Sequence, residues 1–230
     1  CRGMFLGRTR YEVRYGRCPL KREKANGVTP FERLLERSRL CEKQTRQTFD
    51  AFDRDGISPQ LRQARMLAMG AANSGEWLTL GGYRGVGKSH LAAAVALHVM
   101  QRGRQAYFRL VSELLDDLRD GHESGKYAAQ MKFLKTVPWL ILDDLGKEHE
   151  TGAAYDYLYQ VIDSRYRENR QIIVTTNARS KEELASWGDN SFLAPLISRM
   201  DEMGDWAFIT DAKDYRERIG RVRREAAAIK

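Results

Sequence analysis

The chain has 230 residues, a formal net charge of +8 and three cysteines. That length suits one large domain, or one domain with a small appendage, able to bury a core without disulfides, and cysteines this few and widely spaced outline no oxidised framework. No apolar run approaches the roughly 20 residues needed to cross a bilayer and the amino terminus lacks an apolar signal core, so a cytoplasmic protein with no membrane partner is expected.

The charge is unevenly placed. Residues 1–48 hold 13 Lys/Arg against 5 Asp/Glu, which accounts for the whole excess and leaves the remainder neutral. Such a segment suits phosphate backbones or an acidic partner surface, and equally a solvated basic arm. Residues 1–27 alternate Arg, Gly and aromatic residues without a helical period and end at the turn signal Asn26-Gly27. From Pro30 to Gln47, Phe31, Leu34 and Leu35 fall at helical spacing with Leu40 beyond, which predicts a short amphipathic helix facing a partner. Thr48-Phe49-Asp50-Ala51-Phe52-Asp53 marks a boundary, so the chain is divided into a basic segment, 1–47, and a larger domain, 48–230.

Ser58-Pro59 caps a helix expected to run to about Ala72. Strands are expected at 77–81, 106–110, 138–143, 171–176 and 206–209, and helices at 88–102, 111–120, 125–135, 152–169, 180–187, 192–202 and 212–227. Alternation of this kind calls for a parallel sheet covered by helices on both faces, an α/β fold.

The first strand runs into Gly82-Tyr83-Arg84-Gly85-Val86-Gly87-Lys88-Ser89, a full match to the GxxxxGK[ST] phosphate loop, and His90 continues into a helix. Glycines let the backbone curl around an anion with its N–H groups inward, and the helix points its positive end at the same place. Lys88 would neutralise the β and γ phosphates of a nucleotide such as ATP, and the Ser89 hydroxyl would be a ligand of Mg²⁺. The apolar run Val137–Leu142 ends in Asp143 and Asp144, the shape of a Walker B element. Asp143 is placed to hold the magnesium shell, and Asp144 to orient or deprotonate the attacking water. Gln171–Thr176 runs straight into Asn177, whose amide can hydrogen-bond the γ phosphate or that water. Further on, Arg199 in Ser198-Arg199-Met200 and Arg216 in Tyr215-Arg216 offer planar forks suited to developing phosphate charge, supplied within the subunit or from a neighbour.

In this order the phosphate loop, Asp143-Asp144, Thr176-Asn177, Ser198-Arg199-Met200 and Tyr215-Arg216 resemble the AAA+ ATPases of the DnaC/DnaI helicase-loader and IstB-like group, and Thr48–Phe52 resembles that group's entry motif. The resemblance covers residues 48 to about 220. It implies a P-loop NTPase (AAA+/ASCE) three-layer αβα sandwich, with a five-stranded parallel sheet in the order 5-1-4-3-2. It also implies Walker A at Lys88 and Ser89, Walker B at Asp143 and Asp144, sensor 1 at Asn177, an arginine finger at Arg199 acting on the adjacent subunit's nucleotide, and sensor 2 at Arg216. Asp144 stands where most AAA+ proteins have Glu, and little chain follows Arg216 to form a helical lid. Loaders of the DnaI kind often carry a zinc module before the ATPase domain. Cys1 and Cys18 stand where its remains would be, but structural zinc usually needs close CxxC pairs and none is present, so zinc binding is expected only with residues upstream of Cys1.

The leading expectation is an ATP-dependent loader of a replicative hexameric helicase onto single-stranded DNA in DNA replication, assembled as a homo-oligomer on ATP, with the basic segment meeting the helicase. The alternative is an IstB-like transposition helper ATPase acting with a transposase. A P-loop small-molecule kinase and a non-hydrolysing nucleotide switch are weaker readings. Tyr127, Lys126, Lys132 and Phe133 are candidates for contact with DNA, as is the cluster Tyr155, Tyr157 and Tyr159, of which Tyr155 and Tyr159 sit one helical turn apart as packing residues do.

Overall fold

The structure is a computed structural model, and it describes residues 28–52, 58–146, 152–187, 190–212 and 214–215. The expected carboxy-terminal helix beyond Tyr215, Arg216 within it, Asp53, Cys1 and Cys18 lie outside the described residues.

Five parallel strands, β1 (Trp77–Gly82), β2 (Ala106–Leu110), β3 (Trp139–Leu145), β4 (Gln171–Thr176) and β5 (Gly204–Ile209), form one sheet in the order β2-β3-β4-β1-β5. This is the expected 5-1-4-3-2 order read from the other edge. Side chains alternate between the faces, as they must along a strand. Leu78, Leu80, Ile141 and Ile173 enter one apolar core, while Leu140, Leu142, Ile172 and Val174 enter the other. Every residue of β1 is buried.

The first core lies under α1 (Pro30–Arg37), α2 (Pro59–Ser74) and α3 (Lys88–Gln101). Ser58 caps α2 by accepting from Leu61 N–H, Pro59 suits the first turn, and Gly75 ends the helix at φ 86°. Leu91 to Leu97 of α3 are all buried, as a helix enclosed between a sheet and another helix layer requires. The second core lies under α4 (Val111–Glu123), α5 (Tyr127–Thr136), α6 (Gly152–Arg167), α7 (Lys181–Ala185) and α8 (Asn190–Met203). The result is the expected three-layer αβα sandwich.

Two expectations change. The segment before Thr48 turns inward: α1, closed by a capping box between Thr29 and Glu32, places Phe31, Leu34 and Leu35 against the first core, and Leu40 joins them. Ser38 O accepts from Phe108 N–H of the edge strand β2 at 2.8 Å. The amphipathic face therefore packs, partly buried, on this chain's own edge strand and helix α3, where burial stabilises it. The second change is in β3, which continues through both aspartates to Leu145, two residues past its expected end.

Candidate active site

The phosphate loop leaves the carboxyl end of β1, between β4 and β5, where an open parallel sheet presents its ligands. Its geometry depends on glycine. Gly82 takes φ 123°, and a Cβ there would stand 2.1 Å from Ile209 O of β5. Gly87, at φ 109°, precedes the first turn of α3 with the Phe52 ring 3.0 Å from where its Cβ would lie. With Gly85 at φ 75°, the loop alternates handedness and forms a concave nest of backbone N–H groups at the positive end of α3. Val86 is buried beneath it, while Tyr83 and Arg84 are exposed at its tip, with the Arg179 guanidinium 5.9 Å from the Tyr83 ring centroid.

Thr48–Phe52 seats this loop from below. His90 Nε2 lies 2.9 Å from Thr48 O, and its ring meets Phe52 edge-on at 4.9 Å. The His90 side chain thus faces the entry segment, and burial lowers its pKa below the usual imidazole value. Only the backbone of His90 is left to face an anion.

Lys88 is buried, and its ammonium donates to Gly82 O and Tyr83 O, both at 2.8 Å, and to Asn177 Oδ1 at 3.1 Å. A phosphate entering the nest can take over these donors. Asn177, one residue past β4, donates through Nδ2 to Asp144 Oδ1. Asp143 is 4% exposed and accepts from Thr175 Oγ1 at 2.6 Å. The Ser89 hydroxyl is close enough to favour its ionised form. Burial raises the pKa of Asp143, against the hydrogen bonds of Thr175 and Ser89, while the charge of Asp144 adds to the rise and that of Lys88 opposes it.

Lys88, Ser89, Asp143, Asp144 and Asn177 therefore converge, from three separate strand ends. Thr175 joins them; its signal in the sequence is the pair Thr175-Thr176 closing the buried apolar run Ile172–Val174. The Ser89 hydroxyl and the buried Asp143 carboxylate are hard oxygen donors that suit Mg²⁺, and a divalent cation there would favour the ionised form of Asp143. Among the described residues no cluster of His, Cys, Asp and Glu could by itself hold a metal, and no helix is long and apolar enough to cross a membrane.

Arg199 stands apart from this group. From α8 it donates to Asp163 Oδ1 at 2.8 and 3.1 Å, to Pro195 O at 2.9 Å and to Tyr159 OH at 3.0 Å, with its guanidinium over the Tyr159 and Tyr166 rings. Of the residues considered for DNA contact, Phe133 packs edge-on against Tyr107, Tyr127 stacks on His122 at 3.8 Å, and Tyr155 is buried. Tyr127 and Lys132 also line a groove of about 520 Å³ between α5 and α6 with Lys135 and Arg170, away from the phosphate loop.

The family described as IstB-like ATP binding protein matches residues 19–218. An insertion-sequence ATP-binding protein of Mycobacterium tuberculosis is 31% identical over 188 residues, spanning 80% of this chain and 74% of that protein. The ATP-binding protein of insertion sequence IS5376 of Geobacillus stearothermophilus is 28% identical over 170 residues, 74% of this chain and 67% of that one. Among solved structures, the DnaC helicase loader superposes with a TM-score of 0.66 at 25% identity, covering 74% of this chain and all of the other. With this sheet order, this phosphate loop and these relatives, the chain belongs to the IstB-like ATP binding protein family and is an AAA+ ATPase.

Proposed function

We propose that the chain is the ATPase helper of an insertion sequence, a cytoplasmic protein that assembles with copies of itself on ATP and DNA and acts with a transposase. The observation that carries this reading is the 31% identity to an insertion-sequence ATP-binding protein over four-fifths of the chain. It reverses the order in which the sequence motifs alone ranked the two partners.

In this reading the nest of N–H groups and Lys88 bind the triphosphate, and Ser89 and Asp143 hold Mg²⁺. The metal, when bound, draws charge off the phosphate oxygens. Asp144 accepts the proton of the attacking water, and Asn177 holds that water and the γ phosphate in line. Arg199 leaves Asp163 to reach the nucleotide of the adjacent subunit, and Arg216 takes the role of sensor 2. The basic residues before Thr48 and the groove beside Lys132, Lys135 and Arg170 follow the DNA backbone.

Co-purification tests the partner. The full chain should capture the transposase of the same element in the presence of ATP and DNA, and lose it when ATP is omitted. Capture of a replicative helicase with no capture of transposase would reject the helper. That is the outcome of the second reading, a helicase loader, which the likeness to the DnaC helicase loader favours.

A further inference from the structure

Strands β3 and β4 run in register as far as Leu142 opposite Val174, and register resumes with Leu145 opposite Thr176. Between those pairs two residues of β3, Asp143 and Asp144, face one residue of β4, Thr175. This is a bulge, a feature uncommon in parallel sheets.

The bulge solves a problem of geometry. Successive side chains of an unbroken strand point to opposite faces, so adjacent carboxylates within it diverge. Here Asp144 takes φ 61°, and its carboxylate reaches Asn177 while that of Asp143 stays in its buried niche against Thr175. The conformation is costly. A left-handed backbone costs a non-glycine residue about 1 kcal/mol, and a bulged residue loses its partner in the ladder.

The hydroxyl of Thr175 meets both demands. Its oxygen accepts from Asp144 N–H at 2.9 Å, replacing the lost ladder bond, and its hydrogen goes to Asp143 Oδ1 at 2.6 Å. Thr175 is 1% exposed, so solvent is poorly placed to substitute for it. Valine would fill the same volume with neither donor nor acceptor.

We propose that Thr175 is a positioning residue for ATP hydrolysis, whose single hydroxyl holds the bulge that brings Asp143 and Asp144 into one site. The inference rests on the Walker B roles given to the two aspartates. It assigns Thr175 no contact with the nucleotide.

The test uses the full chain with Thr175→Val and Thr175→Ser. The valine variant should bind a fluorescent ATP analogue in EDTA as the wild type does, because the nest and Lys88 are untouched. It should lose the tightening of that binding by Mg²⁺, and kcat should fall about 10–100-fold with KM little changed, the usual cost of removing a group that orients a metal ligand. The serine variant should recover both. A valine variant with wild-type kcat and Mg²⁺ response overturns the proposal, as does a folded serine variant as impaired as valine. If valine prevents folding, Thr175→Cys, with a weak donor in place of the hydroxyl, gives the same comparison against serine. Absence of ATP turnover in the wild type would fail the assigned hydrolytic roles instead, and the Mg²⁺ response in binding would still decide for or against Thr175.

Discussion

Lys88 Nζ lies 3.1 Å from Asn177 Oδ1, and the same amide donates through Nδ2 to the carboxylate of Asp144. Its orientation is fixed by its neighbours, since an ammonium can only donate and a carboxylate only accept. One side chain therefore bridges the Lys88 ammonium on one side and the Asp144 carboxylate on the other. In the proposed reading, a triphosphate that drew Lys88 away would release the amide oxygen and leave the bond to Asp144 as the amide's anchor.

Asn177→Ala should separate binding from turnover. Lys88 keeps its two carbonyl acceptors, so affinity for a fluorescent ATP analogue should stay within a few-fold of wild type. Phosphate release should fall about 10²-fold, the scale on which loss of one oriented polar group slows a reaction. Equal losses of binding and turnover would show that Asn177 supports only the loop.

Arg165 illustrates a different use of an arginine. It is fully buried on α6 and donates to Leu134 O at 2.7 Å, Pro138 O at 3.1 Å and Gln171 O at 2.6 Å, tying the end of α5 to the entries of β3 and β4. Burial, with Arg170 nearby, lowers its pKa to about 9. Arg165→Met removes three donors from buried carbonyls and should cost about 3 kcal/mol, partly offset by removal of a buried charge. Thermal denaturation should show a midpoint lower by roughly 5–10 °C. Arg165→Lys should not restore it, because a single ammonium lacks the planar fork. Nucleotide affinity of the folded variant should be unchanged, since these contacts lie at the opposite strand ends from the phosphate loop.

What could be read from the sequence was what is local. Gly82–Ser89 carries its whole geometry in eight consecutive residues, and the buried parallel strands announce themselves as apolar runs because both faces are covered. The bulge could not be read so, because it is a relation between Asp143-Asp144 and a residue of another strand, Thr175. Nor could Arg165: in Asp163-Ser164-Arg165-Tyr166-Arg167 it resembles its neighbour Arg167, whose side chain is 70% exposed. Helix α1 shows the same limit. Its spacing revealed an apolar face, but that the face lies on β2 and α3 depends on the fold of residues far along the chain.

His98 provides the pH test. It sits on α3 against the edge of the Phe49 ring at 5.8 Å, and its pKa falls to about 4, chiefly through burial and also through the charge of Arg102, with Asp50 opposing. The unfolded chain takes up this proton near the ordinary value of 6.5, so between about 6.5 and 4 the unfolded state binds more protons than the folded one. Stability from this group is therefore fully present above that window, declines as pH falls through it, and levels off below. His90, also lowered by burial, acts in the same direction. Allowing for the partial exposure of His98, the loss by pH 5 should be about 1 kcal/mol. Urea denaturation of wild type and His98→Gln at pH 7.5, 6 and 5 measures it directly: the stability of the wild type relative to the variant should decrease with each step down, whereas a constant difference would mean that His98 takes up its proton equally in both states.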